Sequence, residues 1–312
     1  MSLSRNFAVT VIVTFVISVI GTILVNDYLQ EGPKLGERVI VSRMFSKTLN
    51  EEREVIVHLP EGYDRNPEQR YPVIYVLDGS SQDIHTANSA ALMARIGVMP
   101  EVIVVGLLNT SGANRQRDYT PPFMRSDIDK PDSPMGGGDV FLAFLKNEAV
   151  PVIEKTYRTA PNRMLAGHSR GGLFVAYSLM ADPDLFHARF AHSPALWRDE
   201  ALMVSKLTDF LTSAPNFHTF FYMSMGDKEN DKMMAAYKNS IASLKMHSPA
   251  GLRWHAEVTA GADHYSNPEL ATPVGLMKLY SDWQPVAGMQ KDTKDSSIAG
   301  AAGLMSSKQN RL

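Results

Sequence analysis

The chain contains no cysteine among its 312 residues. That excludes disulfides, thiolate zinc sites, thiol nucleophiles and lipid attachment through cysteine, and it leaves the redox compartment open. An excess of either charge is also missing: 31 Lys and Arg against 33 Asp and Glu leave a net charge of -2. No global basic field of the kind that non-specific nucleic-acid binding needs is therefore present, and nucleic acid is not an expected partner. The glycine run Gly136-Gly137-Gly138 lacks the Lys-Ser/Thr ending of a phosphate loop, which discards nucleotide binding of that kind. Internal repeats and a second domain are absent too, while the 44% hydrophobic content is ample for one sizeable core.

One long apolar run is present. Phe7 to Val25 carries no charge and, at about 19 residues, would span about 29 Å as a helix, enough to cross a bilayer. Arg5 precedes it and Asp27 and Glu31 follow, so the positive-inside bias keeps the short amino end in the cytoplasm. Three readings compete: a single-pass signal anchor, a cleaved secretory signal, and a buried core helix. No small-x-small site follows Val25 and the run is longer than a soluble core helix needs, so the anchor is expected. It would put the rest of the chain on the extracytoplasmic side, periplasmic or extracellular; cleavage would make the protein secreted. Residues 1-36 read as this segment plus a polar linker with Gly32, Pro33 and Gly36, residues 37-284 as the folded domain, and residues 285-312 as a disordered tail without apolar period.

Within the domain, strand-like and helix-like segments alternate, the pattern of a mostly parallel sheet covered by helices on both faces. Glu54 to Leu59 alternates and suits an edge strand, whereas Val73 to Leu77 and Val102 to Leu107 are continuous apolar runs suited to buried central strands. Asp139 to Tyr157 reads as a helix that Pro151 kinks or divides. Arg163 to Ala166, Ala188 to Ala191, Thr219 to Met225 and Arg253 to Thr259 supply further strands, and Leu173 to Met180 a helix.

Gly167-His168-Ser169-Arg170-Gly171 fits G-x-S-x-G, preceded by the strand and followed by the helix that a nucleophile elbow requires. The glycines let strand and helix approach around a serine held in a strained backbone conformation. A tight glycine turn with an incidental serine is the bland alternative.

Serine needs a base, and a histidine on a loop after a late strand is the usual one. His264, in Ala260 to Tyr265 just after Thr259, has that placement; His247 lies near a helix end and His255 within a strand, where packing or solvation explains them. His168 should face away from the serine and serve structure. The carboxylate that orients the base should fall between serine and histidine in chain order. The loop Gly226 to Asp231 offers Glu229, the preferred acid, with Asp227 and then Asp231 as alternatives. Oxyanion donors are expected from the amide of Arg170 and from an amide at Gly79 or Ser80.

These segments resemble the esterase family that includes esterase D and the ferric enterobactin esterases. The matching pieces are Tyr71 to Gly79, Arg117-Asp118-Tyr119-Thr120-Pro121, Ala166 to Gly172, Ser193-Pro194-Ala195-Leu196-Trp197, Gly226 to Glu229 and the loop at His264. The resemblance implies an α/β-hydrolase without a large lid domain. It also implies Ser169, His264 and Glu229 as the catalytic residues, no metal or organic cofactor, a small-molecule ester substrate, and substrate contacts from Arg117, Tyr119 and Trp197. The irregular stretch Asn109 to Gly138, with Arg115, Arg117 and Arg125, is expected to rim the pocket; its arginines either hold an anionic or catecholate substrate or are merely solvated. The reaction expected is ester hydrolysis through an acyl-enzyme, as in a simple carboxylesterase or a siderophore lactone esterase. An acyltransferase and a catalytically silent, membrane-tethered binding module are its rivals; the sequence does not specify an oligomeric state.

Overall fold

The computed structural model describes residues 38-213 and 216-282. Its strands are β1 (Arg38–Ser46), β2 (Glu51–Leu59), β3 (Tyr71–Leu77), β4 (Ile103–Leu107), β5 (Thr159–His168), β6 (Ala188–His192), β7 (Thr219–Gly226) and β8 (Leu252–Thr259). They form one sheet in the order β1-β2-β4-β3-β5-β6-β7-β8. Only β2 runs against its neighbours; every pair from β4 onward is parallel.

The central strands are apolar throughout because both of their faces are covered. In β3, Tyr71, Val73, Tyr75 and Leu77 point into one core while Ile74 and Val76 point into the other; in β4, Ile103, Val105 and Leu107 divide from Val104 in the same way. Helices α1 (Gly79–Arg95) and α8 (Asn267–Leu279) cover the smaller core with Ala90, Met93, Ala271 and Leu276. The larger core takes α3 (Gly138–Phe144), α4 (Val150–Thr156), α5 (Arg170–Ala181), α6 (Arg198–Ser213) and α7 (Asp231–His247). The result is a mostly parallel sheet with helices on both faces. No large lid interrupts it: only Ser193 to Trp197 separates β6 from α6.

Two expectations are corrected and one is made specific. Glu54–Leu59 lies in β2, which is second in the sheet; the edge is β1, whose Val39, Val41 and Phe45 are exposed and alternate with half-buried Ile40 and Met44. Its charges and mixed pattern hid it from a search for apolar runs. The helix over 139-157 is divided next to Pro151, as expected, and the division is a π turn at Leu145–Ala149 where the Val150 amide donates to the Leu145 carbonyl five residues back. Proline lacks the amide for an i−4 bond and its ring crowds the preceding turn, which the wider register relieves. The stretch 109-138 is not wholly irregular, since it contains α2 (Gly112–Asp118), capped by Ser111, and a bridge between Arg125 and Met135.

Among the described residues no helix is long and apolar enough to cross a membrane. The run Phe7 to Val25, the linker to Gly36 and the tail from residue 285 lie outside the described residues.

Candidate active site

Where β5 ends at His168 and α5 begins at Arg170, Ser169 sits alone at φ 57° and ψ −115°. A positive φ of this kind costs a non-glycine residue about 1–3 kcal/mol and survives only when its surroundings impose it. Here the Ser169 amide donates to the His192 carbonyl at 2.9 Å, and the Ser169 carbonyl accepts from Leu173 and Ala195, both at 3.0 Å. Gly167 is required by the same turn, because a Cβ there would stand 2.6 Å from the Gly171 carbonyl carbon.

His264 arrives on the loop after β8. That loop crosses the end of β7 so closely that a Cβ on Gly226 would lie 2.5 Å from the Ala262 carbonyl oxygen. The Lys228 amide donates to that oxygen at 3.0 Å, and Asp263 ties the turn by accepting from the Tyr265 and Ser266 amides at 3.0 and 2.8 Å. The imidazole then lies between two partners: Nδ1 donates to Glu229 Oε2 at 2.9 Å, and Nε2 accepts from Ser169 Oγ at 3.0 Å. The carboxylate fixes the tautomer, since an acceptor-only group requires the proton on Nδ1 and leaves the Nε2 lone pair facing the serine.

Glu229 has no exposed side-chain surface. Burial pushes its carboxyl upward, but hydrogen bonds from His264, Ser193 and the Gly226 amide outweigh that and hold it below its ordinary value. Ser193 Oγ donates to Glu229 Oε1 and accepts from Asn267 Nδ2, so the acid is supported by a second buried layer. Asp227 is displaced from the role proposed for it as an alternative: its carboxylate accepts from the Gly261 amide at 2.9 Å. Asp231 opens α7 behind the Asn230 cap. The β7 turn carries Asp227 outward and Glu229 inward, which spacing alone did not resolve.

Gly79 and Ser80 open α1, and Arg170 opens α5; the first amides of a helix have no acceptor within it and are therefore available to an anion. The two helix starts are close, for a Cβ on Gly171 would be 3.6 Å from Asp78 Oδ2. Asp78, at φ 56° and ψ 46°, turns the chain from β3 into α1. Its carboxylate is gripped by Arg115 Nε and Nη2 at 2.7 and 2.8 Å and by Asn109 at 2.6 Å.

Ser169 and His264 open into a cavity of about 200 Å³, walled also by Arg115, Arg170, Trp197, Arg198 and Met233. Trp197 is thus beside the serine. Arg117 and Tyr119, expected as substrate contacts, do not line the cavity. Arg117 is held by Glu51 and Asp118, at 2.8 and 2.7 Å, and the fully buried Tyr119 ring packs against Phe141 and Phe174, its hydroxyl accepting from the Asp78 amide. Their chain segment does reach the site, but through Arg115, which lines the cavity and grips Asp78.

His168, expected to face away from the serine and serve structure, packs against the loop that carries His264. Its ring lies 4.5 Å from that of His264, and its Nε2 donates to the His264 carbonyl at 2.7 Å. The side chains of Arg170 and Arg198 carry no sequence signal for the cavity: the motif points only to the Arg170 amide, and Arg198 follows the Ser193 to Trp197 segment.

Residues 46–266 match the model of the family described as "Putative esterase". Among curated proteins, the chain is 29% identical over 246 residues to the ferri-bacillibactin esterase BesA of Bacillus subtilis, covering 72% of this chain and 83% of that protein. It is 24% identical to the siderophore triacetylfusarinine C esterase of Aspergillus fumigatus, covering 68% and 82%. Among solved structures, an IroE-like serine hydrolase from Shewanella oneidensis superposes with a TM-score of 0.72 at 30% identity, over 78% of this chain and 81% of that one. With the sheet order, the elbow and a family match over most of its length, the chain belongs to the "Putative esterase" family of α/β-hydrolases and is an esterase.

Proposed function

We propose that the protein is a serine ester hydrolase in which Ser169, His264 and Glu229 act as a catalytic triad through an acyl-enzyme. The observation that carries this reading is the continuous chain from Ser169 Oγ through His264 to Glu229, at 3.0 and 2.9 Å. Ser169 Oγ attacks the ester carbonyl while His264 Nε2 takes its proton, and Glu229 stabilises the imidazolium that forms. Amides of Arg170 and of Gly79 or Ser80 are placed to donate to the tetrahedral oxyanion. His264 returns the proton to the departing alkoxide, leaving the acyl group on Ser169. Water, deprotonated by the same imidazole, then attacks the acyl carbon and restores the serine hydroxyl.

Two curated relatives are named for esterase activity on siderophores, which favours a siderophore ester as substrate. A cavity of about 200 Å³ is smaller than the ~300–1,000 Å³ typical of sites that swallow a drug-sized ligand. It suits one arm of a large ester, with the rest of the molecule outside. Hydrolysis of a panel comprising simple acyl esters, feruloyl esters and siderophore lactones tests the reading. Turnover of at least one class, abolished by Ser169→Ala, is expected; unchanged turnover in that variant would contradict it. The uncharged run Phe7 to Val25 supports a membrane-anchored enzyme with its domain on the extracytoplasmic side. Carbonate extraction should leave it with the membranes, and recovery in the soluble fraction would argue otherwise.

A further inference from the structure

Two guanidinium groups beside Ser169 form no ion pair among the described residues. Arg170 Nη1 donates to Thr120 Oγ1 at 3.0 Å and to the Ser126 carbonyl at 2.6 Å. Arg198 Nη2 donates to the Arg125 and Ser126 carbonyls at 3.3 and 3.4 Å. The shared Ser126 oxygen brings the two like charges together, and both line the cavity that holds Ser169 and His264. Arg198 is only 5% exposed, and its Nε is buried without any acceptor. Asp127, Asp129 and Asp199 are close enough to influence these groups without pairing with them. Arg115 and Arg117, by contrast, are both matched to carboxylates.

Two adjacent, partly desolvated cations are costly unless an anion joins them. Burial, with Arg198 and Arg115 nearby, lowers the Arg170 group to about 10, and burial lowers Arg198 as well. Fastening the loop at Thr120 and Ser126 does not explain the arrangement, because a neutral amide donor would hold the Thr120 hydroxyl and the Ser126 carbonyl without the desolvation penalty. Guanidinium forks match carboxylates in shape and in charge.

We propose that Arg170 and Arg198 form an anion subsite, and that the ester this enzyme hydrolyses carries a free carboxylate within reach of the scissile bond. This rests on the reading of Ser169 as the nucleophile. The anion is drawn into a wall of the cavity that Trp197, Ala195 and Met233 otherwise make apolar. Neutral esters of equal size gain nothing from that wall.

The test compares kcat/KM for esters that differ only in the carboxylate. On the acyl side, the mono-4-nitrophenyl ester of adipic acid is set against 4-nitrophenyl hexanoate; on the alcohol side, carboxymethyl butyrate is set against propyl butyrate, with uncatalysed rates subtracted. In at least one series the wild type should favour the carboxylate ester by about tenfold, mainly through KM, which corresponds to about 1.4 kcal/mol. Arg170→Gln and Arg198→Gln should bring that ratio close to one, whatever they do to overall turnover. Calorimetric binding of adipate to the wild type, weakened in Arg198→Gln, provides a readout independent of catalysis. A wild-type preference for the neutral ester in both series, or a ratio unchanged in both variants, would overturn the subsite. Should no ester be turned over at all, the hydrolase reading fails while adipate binding still decides the subsite: binding supports it and its absence contradicts it.

Discussion

His168 donates from Nε2 to the backbone carbonyl of His264 at 2.7 Å, so the residue before the candidate nucleophile holds the loop that carries its base. Burial, and then the neighbouring His264, lower the His168 pKa from 6.5 to about 4, and the ring is neutral at ordinary pH. His168→Phe keeps an aromatic ring but loses the donor and should lower kcat roughly tenfold, the scale of one lost hydrogen bond to a buried carbonyl. His168→Gln restores a donor and should recover part of the loss. A purely space-filling role would show no difference between the two.

The same group makes stability sensitive to acid. Between about 6.5 and about 4 the unfolded chain protonates this histidine and the folded chain does not. The unfolded state binds more protons in that window, so stability falls as pH drops through it, by a few kcal/mol at most. Urea midpoints at the two ends should converge more closely in His168→Gln than in the wild type. Equal losses in both proteins would contradict the assignment.

His264 Nδ1 is hydrogen-bonded to Glu229, while Asp227 accepts from the Gly261 amide. Glu229→Gln can hold the ring but cannot stabilise an imidazolium, so kcat should fall roughly 10³–10⁴-fold, as when a triad carboxylate is made an amide. Asp227→Asn removes only the charge from an exposed contact to the Gly261 amide and should change turnover less than twofold, consistent with the modest value of solvated interactions. Reversed sensitivities in steady-state kinetics would contradict the geometry.

Arg115 and Asp78 meet through two hydrogen bonds, 2.7 and 2.8 Å long, at the turn that presents the Gly79 and Ser80 amides. Arg115→Lys preserves charge and forfeits the two-pronged grip. We expect kcat to drop roughly tenfold or more, the consequence of slight misplacement of oxyanion donors. An unchanged kcat would remove this turn from the catalytic account.

Arg189 bears on stability. It is fully buried and donates to the carbonyls of Ser178, Asp182, Pro183 and Phe186, tying the end of the helix that Ser169 starts to the following turn. Arg189→Leu leaves several buried acceptors without donors and should cost on the order of 3 kcal/mol or more in denaturant unfolding. A loss below ~1 kcal/mol would show that water replaces the guanidinium.

Much of this was legible beforehand, for identifiable reasons. The elbow could be read because its glycines answer a local steric demand, and the central strands because burial on both faces requires unbroken apolar runs. His264 could be placed because it directly follows a strand. Arg117 and Tyr119 were misread because a motif gives neighbours along the chain and not the direction of a side chain; one residue faces Glu51 and the other the core. The roles of His168, Arg170 and Arg198 depend on loops distant in sequence, near residues 126 and 264, whose approach leaves no periodic signal. The edge strand β1 was hidden because Arg38, Ser42 and Arg43 interrupt its apolar residues.

The central claim is that Ser169 is the nucleophile that takes up the covalent group. A fluorophosphonate or a slowly hydrolysed acyl ester, followed by intact-mass analysis and peptide mapping, measures this directly. One adduct per chain on Ser169, absent from Ser169→Ala and slowed in Glu229→Gln, is predicted. An unmodified Ser169 in protein that is turning over ester, or an adduct on another residue, would contradict the account.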